Sequence, residues 1–174
     1  MERAMDYTGH YLSSLGGITL ASDGERLTGL WFDGQKYFGS TLCREREEKN
    51  LPVFEEAGRW LDLYFAGQEP PFTPPLFLRG TVFQRAVWER LLCIPYGETT
   101  SYGSIAASLA KEQGRESMSA QAVGSAVGHN PISLIIPCHR VLGADGSLTG
   151  YAGGIEKKKC LLKLEQKGRK AEGL

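Results

Sequence analysis

Cysteine and histidine stand side by side at positions 138 and 139, behind an apolar run, Ile132 to Ile136, that is closed by Pro137. A thiolate is a strong nucleophile, and near neutral pH it needs a base or a positive neighbour to form. His139 and Arg140 supply one of each. Ile132–Ile136 reads as a strand, and adjacent side chains in a strand point to opposite faces. Cys138 and His139 then cooperate only where the backbone turns, as Pro137 permits, and a bridging water is the easier link. An inert buried thiol is the common fate of a free cysteine, but the context IIPCHRV favours chemistry. Further on, Glu165 lies four residues after Leu161 and three after Leu162, on the apolar face of a C-terminal helix. Either it pairs with a histidine and completes a Cys138–water–His139–Glu165 relay, or it frays into solvent in the last turn.

Two further stretches flank this pair. Gly150 to Gly154 (GYAGG) is too short and wrongly spaced for a phosphate-binding glycine loop. It reads either as a flexible connection or as bare backbone approaching a flat ligand, with Tyr151 stacking on it. Ser117 to Gly128 (SMSAQAVGSAVG) is a helix of small side chains, nearly devoid of the long polar groups that read base edges in a major groove. Such a helix suits a narrower groove or tight packing on a neighbour. His10 and His129 share no ligand-like spacing, and Trp31, Trp60 and Trp88 read as core.

The elements that must position these residues are short. With 174 residues, 41% hydrophobic and 23% charged, the chain has the composition of a soluble globular protein of one or two small domains. It carries no apolar run long enough to span a bilayer and no secretory h-region. Four scattered cysteines suit neither a disulfide framework nor a zinc site, which points to free thiols in a reducing, cytoplasmic setting. The net charge is zero but uneven: residues 1–80 carry 8 Lys/Arg against 12 Asp/Glu, and residues 81–174 carry 12 against 8. A local basic face is what phosphate contact requires, so neutrality overall does not exclude nucleic acid.

Tyr11–Leu20 and Leu27–Phe32 read as strands, with Ser22-Asp23-Gly24 turning between them. Arg44–Asn50 reads as an exposed connection, and Pro52–Phe65 as an amphipathic helix. Four prolines between Ala66 and Gly80 mark a linker. Beyond it, Thr81 caps a helix over Phe83–Cys93, Thr99 or Thr100 caps one through Leu109, and Ser117–Gly128 follows, stopped by His129-Asn130-Pro131. The last two form a candidate helix-turn-helix. A lysine-rich helix, Ile155–Lys167, precedes a disordered tail. The partition is 1–72, an N-terminal α/β domain; 73–80, a Pro-rich linker; 81–168, the C-terminal domain; and 169–174, the tail.

GTVFQRAVWERLLCIPYGETTSYGSIA, AVGSAVGHNPISLIIPCHRV, and TGYAGG followed by LLKLE occur here in that order. In this the chain resembles the O6-alkylguanine-DNA alkyltransferases, the methylated-DNA–protein-cysteine methyltransferases, strongly over Gly80–Gln166 and in outline before that. The resemblance implies an α+β protein: a small ribonuclease H-like sheet-plus-helix domain, then a helical domain with a winged-helix-like helix-turn-helix. It implies repair of double-stranded DNA containing O6-alkylguanine, with O4-alkylthymine as a second candidate, by a monomer that needs no cofactor and no metal. The alkyl group passes once, irreversibly, to Cys138 after base flipping. By the same resemblance, His139 activates the thiol through water, Glu165 fixes the histidine, and Asn130 supports the turn around the cysteine. Tyr102 donates to the flipped guanine, while Val141, Tyr151 and Ala152 line its pocket. Gln121, Ala122, Gly124, Ser125 and Arg140 face DNA. The family often carries an arginine wedge where this chain has Gln121, in the segment AQAVG.

Three other readings compete. An alkylated-DNA-binding protein without transfer activity lacks the acceptor cysteine, which is present here. A cysteine hydrolase needs a histidine distant in sequence, and a transcriptional regulator needs a helix equipped to read base edges.

Overall fold

The computed structural model describes residues 4–172. By their contacts these fall into two units, one formed by residues up to Arg79 together with Pro131–Ser133, the other by Gly80–Asn130 and Leu134 onward.

The first unit is a four-stranded sheet carrying one helix. Strands β1 (Asp6–Ser13), β2 (Gly16–Ser22), β3 (Leu27–Phe32) and β4 (Arg46–Glu48) are ordered β3-β2-β1-β4, with β1–β2 and β2–β3 antiparallel and β4 parallel to β1. The run expected to be one strand, Tyr11–Leu20, is a hairpin. Ser13 Oγ donates to the Gly16 carbonyl and accepts from the Leu15 N–H, and Gly16 takes a φ of 115°. A serine that bonds its own turn competes with the ladder, so the strand breaks there. The charged stretch read as a connection contains β4, which pairs with β1 through its backbone while its side chains stay exposed.

Helix α1 (Pro52–Phe65) opens on a proline, whose fixed φ suits the first helical position. It buries Val53, Phe54, Ala57, Trp60, Leu61 and Tyr64, the spacing of one helical face, and Trp31 and Trp60 are core as expected. The Pro-rich connection is held down where it passes β3. Leu27 N–H donates to the Pro75 carbonyl, Phe77 N–H donates to the Leu27 carbonyl, and Arg79 donates from both terminal nitrogens to the fully buried Asp6. On the other edge of this contact, Leu30 N–H donates to Pro131 O and Ser133 N–H donates to Leu30 O.

The second unit is helical. Helix α2 (Val82–Leu91) is capped as predicted by Thr81, whose hydroxyl accepts from Gln84 N–H while Gln84 returns a bond to the Thr81 N–H. Helices α3 (Tyr102–Glu112) and α4 (Ala120–Gly128) form the helix-turn-helix pair, capped by Ser101 and Ser119. Trp88 is 1% exposed and its indole N–H donates to the Ala126 carbonyl, pinning α4 to α2. A ladder of two residues each, β5 (Thr100–Ser101) and β6 (Val141–Leu142), pairs in parallel. Helix α5 (Ile155–Glu172) runs past the expected end at Lys167 and takes up most of the expected tail, because nothing after Gly168 breaks it and basic residues favour a helix C-terminus. Gly173 and Leu174 lie outside the described residues. No helix among the described residues is long and apolar enough to cross a membrane.

Candidate active site

The apolar run before the cysteine is not a strand. Ile132 makes a single bridge, and Leu134 sits at a φ of 72°, a left-handed conformation that costs a branched residue free energy and persists only where the surroundings impose it. Four apolar side chains, Ile132, Leu134, Ile135 and Ile136, are buried around that kink. The apolar run read as a strand, but the left-handed Leu134 breaks the extended backbone that a strand requires. Cys138–Arg140 then forms one 3-10 turn. The required change of direction therefore falls on the Cys-His pair itself.

The turn is enclosed. Cys138 is 5% exposed, and His139 and Glu165 are 0% and 1%. His139 Nε2 is bonded to Glu165 Oε2. The other carboxylate oxygen accepts from Arg140 Nε at 2.8 Å and from the Gly97 N–H at 3.1 Å. Gly97 has a φ of 79°, and a Cβ there would meet the Arg169 side chain at 2.8 Å, so this N–H reaches Glu165 only because the residue is glycine. Asn130, two residues before the kinked run, donates from Nδ2 to the Ile136 carbonyl at 2.8 Å. Leu161 and Glu165 lie on one buried face of α5, which settles the two readings of Glu165 in favour of the paired one.

The electrostatics follow from this enclosure. Burial works against the Glu165 carboxylate, but the hydrogen bond and charge of His139 and the Arg140 guanidinium pull it down to about 2. It is ionised at neutral pH. Burial draws the His139 imidazole below its usual value, with Glu165 pushing back, so the neutral ring, able to accept a proton, is the neutral-pH form. Burial pushes the Cys138 thiol up, while a hydrogen bond from Asn130 and the charge of Lys158 pull it down.

The ladder joining β5 and β6 brings the expected pocket residues to this turn. Tyr102 follows β5 directly, and Arg140 directly precedes β6. The Tyr102 hydroxyl donates to the carbonyls of Thr149 (3.1 Å) and Gly150 (3.3 Å). Among the described residues the buried Tyr151 hydroxyl has no hydrogen-bond partner, and its pKa is raised well above the usual phenol value by burial and by the nearby charges of Cys138 and Glu165. Val141 is buried, and Ala152 lies in the turn before α5. A Cβ at Gly124 of α4 would touch the Tyr102 ring at 3.7 Å, so α4 passes close to the pocket wall.

On α4, Val123, Ala126 and Val127 are buried, leaving Gln121, Ala122 and Ser125 exposed and Gly124 half-buried. Arg140 does not join them at a surface. It is 8% exposed, donates from Nη1 to the Ile94 carbonyl at 2.7 Å and from Nε to Glu165, and lies 5.6 Å from the Tyr96 ring centre. A guanidinium on the residue next to a buried carboxylate's partner gains more from that anion than from solvent. Sequence reasoning also missed Lys158, fully buried within a run of three lysines. Its signal was spacing: Lys158, Leu161 and Glu165 stand at i, i+3 and i+7, on one helix face. Among the described residues no group of three or more His, Cys, Asp or Glu is arranged to hold a metal ion.

Together, the helix-turn-helix pair and a buried cysteine followed by a glutamate-bound histidine describe an α+β protein whose second unit has the architecture of a DNA-binding module. The family model described as 6-O-methylguanine DNA methyltransferase, DNA binding domain, matches residues 82–167, and that of the same family's ribonuclease-like domain matches residues 7–78. The methylated-DNA–protein-cysteine methyltransferase of Mycobacterium bovis is 48% identical over 154 residues, 88% of each chain. That of Haemophilus influenzae is 42% identical over 164 residues, 94% of this chain and 87% of its own. A crystal structure of the Mycobacterium tuberculosis O6-methylguanine methyltransferase superposes with a TM-score of 0.78 at 46% identity, covering 94% of both chains. A second from that organism, in complex with DNA, gives 0.77 at 44% identity over the same share. The chain belongs to the 6-O-methylguanine DNA methyltransferase family.

Proposed function

We propose that this protein repairs O6-alkylguanine in double-stranded DNA by moving the alkyl group onto Cys138. The observation that carries the reading is a buried thiol adjoining a neutral histidine, whose Nε2 is held by an ionised glutamate. With Nε2 committed to Glu165, Nδ1 is the ring nitrogen that takes the Cys138 proton, through a water. The thiolate sulfur attacks the alkyl carbon, the S–C bond forms, and the C–O6 bond breaks with its electron pair going to O6. Tyr102 supplies the guanine with a hydrogen bond, or a proton, as that charge develops, and must first release the carbonyls of Thr149 and Gly150. No group in the site offers a way to cleave a thioether, so each molecule acts once.

Cys138 is enclosed, so the base must leave the stack to reach it. Tyr151 and Ala152 wall the pocket. The exposed small residues of α4, Ala122 and Ser125, with Gly124 beside them, let the helix approach a groove closely, and Gln121 fills the space left by the base. Arg140 braces Glu165 rather than contacting phosphate. One chain supplies every group of the site, in keeping with action as a monomer. The chemistry needs a free thiol, which a reducing cytoplasm maintains.

The test is the intact mass of the protein after mixing with a duplex oligonucleotide carrying one O6-methylguanine. The expected result is a gain of one methyl per molecule, absent in Cys138→Ser. No gain, or turnover beyond one equivalent, overturns the reading.

A further inference from the structure

Three lysines follow one another at 157–159, and only the middle one is fully buried, at 0% exposure. Its position is doubly unfavourable for a cation. It is removed from water, and it stands in the first turn of α5, at the positive end of the helix dipole. Two carbonyls receive it: Nζ donates to Val141 O at 2.6 Å and to Thr149 O at 3.0 Å. Both carbonyls are neutral, so they satisfy the donors without balancing the charge. Val141 directly follows the Cys-His-Arg turn, and Thr149 begins the glycine loop whose carbonyls also hold Tyr102.

The groups around Cys138 make the balancing charge identifiable. His139 and Arg140 come from its own turn, Tyr102 from the start of α3, Tyr151 from the loop before α5, and Lys158 and Glu165 from α5. Glu165 is already matched by Arg140 and bonded to His139. The two tyrosines are neutral at physiological pH, because burial raises both. The charge of Cys138 acts on Lys158 to favour the cation, and the Lys158 charge in turn lowers the pKa of His139. Helix α5 therefore offers the site an anion at 165 and a cation at 158, two turns or roughly 10 Å apart along one face. The anion is bonded to the base, and the cation is held by two carbonyls, one of which directly follows the nucleophile's turn.

We propose that Lys158 is a positioning residue for alkyl transfer: held by the carbonyls of Val141 and Thr149, its ammonium is the positive charge that balances the buried Cys138 thiolate. This deepens, and rests on, the reading of Cys138 as the alkyl acceptor. It also divides the work of activation. His139 removes the proton, and Lys158 makes the ion left behind tolerable.

The test titrates the thiol directly, without DNA or alkyl donor. Thiolate ultraviolet absorbance is followed against pH as the difference between the wild type and Cys138→Ser, and the same difference is taken in a Lys158→Gln background. Glutamine retains N–H donors for the carbonyls and removes the charge. The expected result is a midpoint about one pH unit higher, roughly tenfold less thiolate at neutral pH, with Lys158→Arg returning part of the shift. Lys158→Met carries the same measurement if the glutamine variant does not fold. A midpoint unmoved in the folded variant overturns the proposal, as does a shift that arginine leaves wholly uncorrected. Failure of the repair reading shows elsewhere, as a wild type that gains no methyl.

Discussion

Each unit holds a cluster built from a carboxylate, an arginine and a cysteine, and only the cluster of the second unit adds a histidine. In the first unit, Asp6 accepts from both terminal nitrogens of Arg79, at 2.7 and 2.8 Å, and from the Cys43 N–H at 2.7 Å. The Cys43 thiol lies against that anion, and burial and the Asp6 carboxylate raise its pKa. In the second unit the carboxylate is bonded to a histidine that follows the cysteine in the chain, and the charge of a lysine pulls the thiol pKa down against burial. The ingredients are nearly shared. What differs is the histidine: Arg79 serves both Asp6 and, at 3.9 Å, the Cys43 sulfur, whereas Glu165 is bonded to His139 beside Cys138.

The contrast is sharpest in a pair of cysteine substitutions. Cys138→Ser abolishes methyl uptake from O6-methylguanine DNA, whereas Cys43→Ser leaves it within about twofold, both read by intact mass. Loss of uptake in the Cys43 variant, with its fold retained, breaks the comparison. Next in size are the two carboxylates. Glu165→Gln removes the acceptor that holds the imidazole in its working state and slows transfer by about 100-fold or more, measured by quenched single-turnover assay. Asp6→Asn leaves transfer per folded molecule unchanged. It leaves the Arg79 guanidinium without its anion and lowers stability by about 3–5 kcal/mol in urea titration.

Acid separates the clusters further. The Glu165 carboxyl falls from 4.5 to about 2 on folding, so the folded state binds its proton more weakly than the unfolded state does. The stabilisation is fully present above pH 4.5 and is lost as pH falls toward 2, in total on the order of 3 kcal/mol. Glu165→Gln flattens that part of a stability–pH curve, and what remains of the acid dependence includes Asp6, whose pKa Arg79 also lowers. The smallest effect is expected far from both clusters. Gln121→Arg adds one phosphate-accessible charge and steepens the salt dependence of DNA affinity by about one unit. An unchanged slope and repair rate would remove Gln121 from the interface.

Much of this was legible from local rules. Pro52 opened α1, Thr81 capped α2, and the spacing of Glu165 behind Leu161 put a carboxylate on an inner face. What escaped depended on partners distant in sequence. Lys158 is buried by carbonyls 17 and 9 residues away, and in sequence a triplet of lysines reads as a solvated surface. Arg140 looked available for phosphate because its acceptors, Glu165 and the Ile94 carbonyl, lie 25 and 46 residues off. The kink at Leu134 and the hairpin at Gly16 each fell inside a run that looked regular, where one residue's φ changed the element.

The small parallel ladder has a further consequence. Thr100–Ser101 is clasped to Val141–Leu142, so Tyr102 is referenced to the Cys138 turn by direct pairing rather than by the length of chain between them. The connection from α3 to α4, residues 113–119, lies wholly inside that clasped span. Its length does not enter that pairing, so this stretch is a part of the span open to variation.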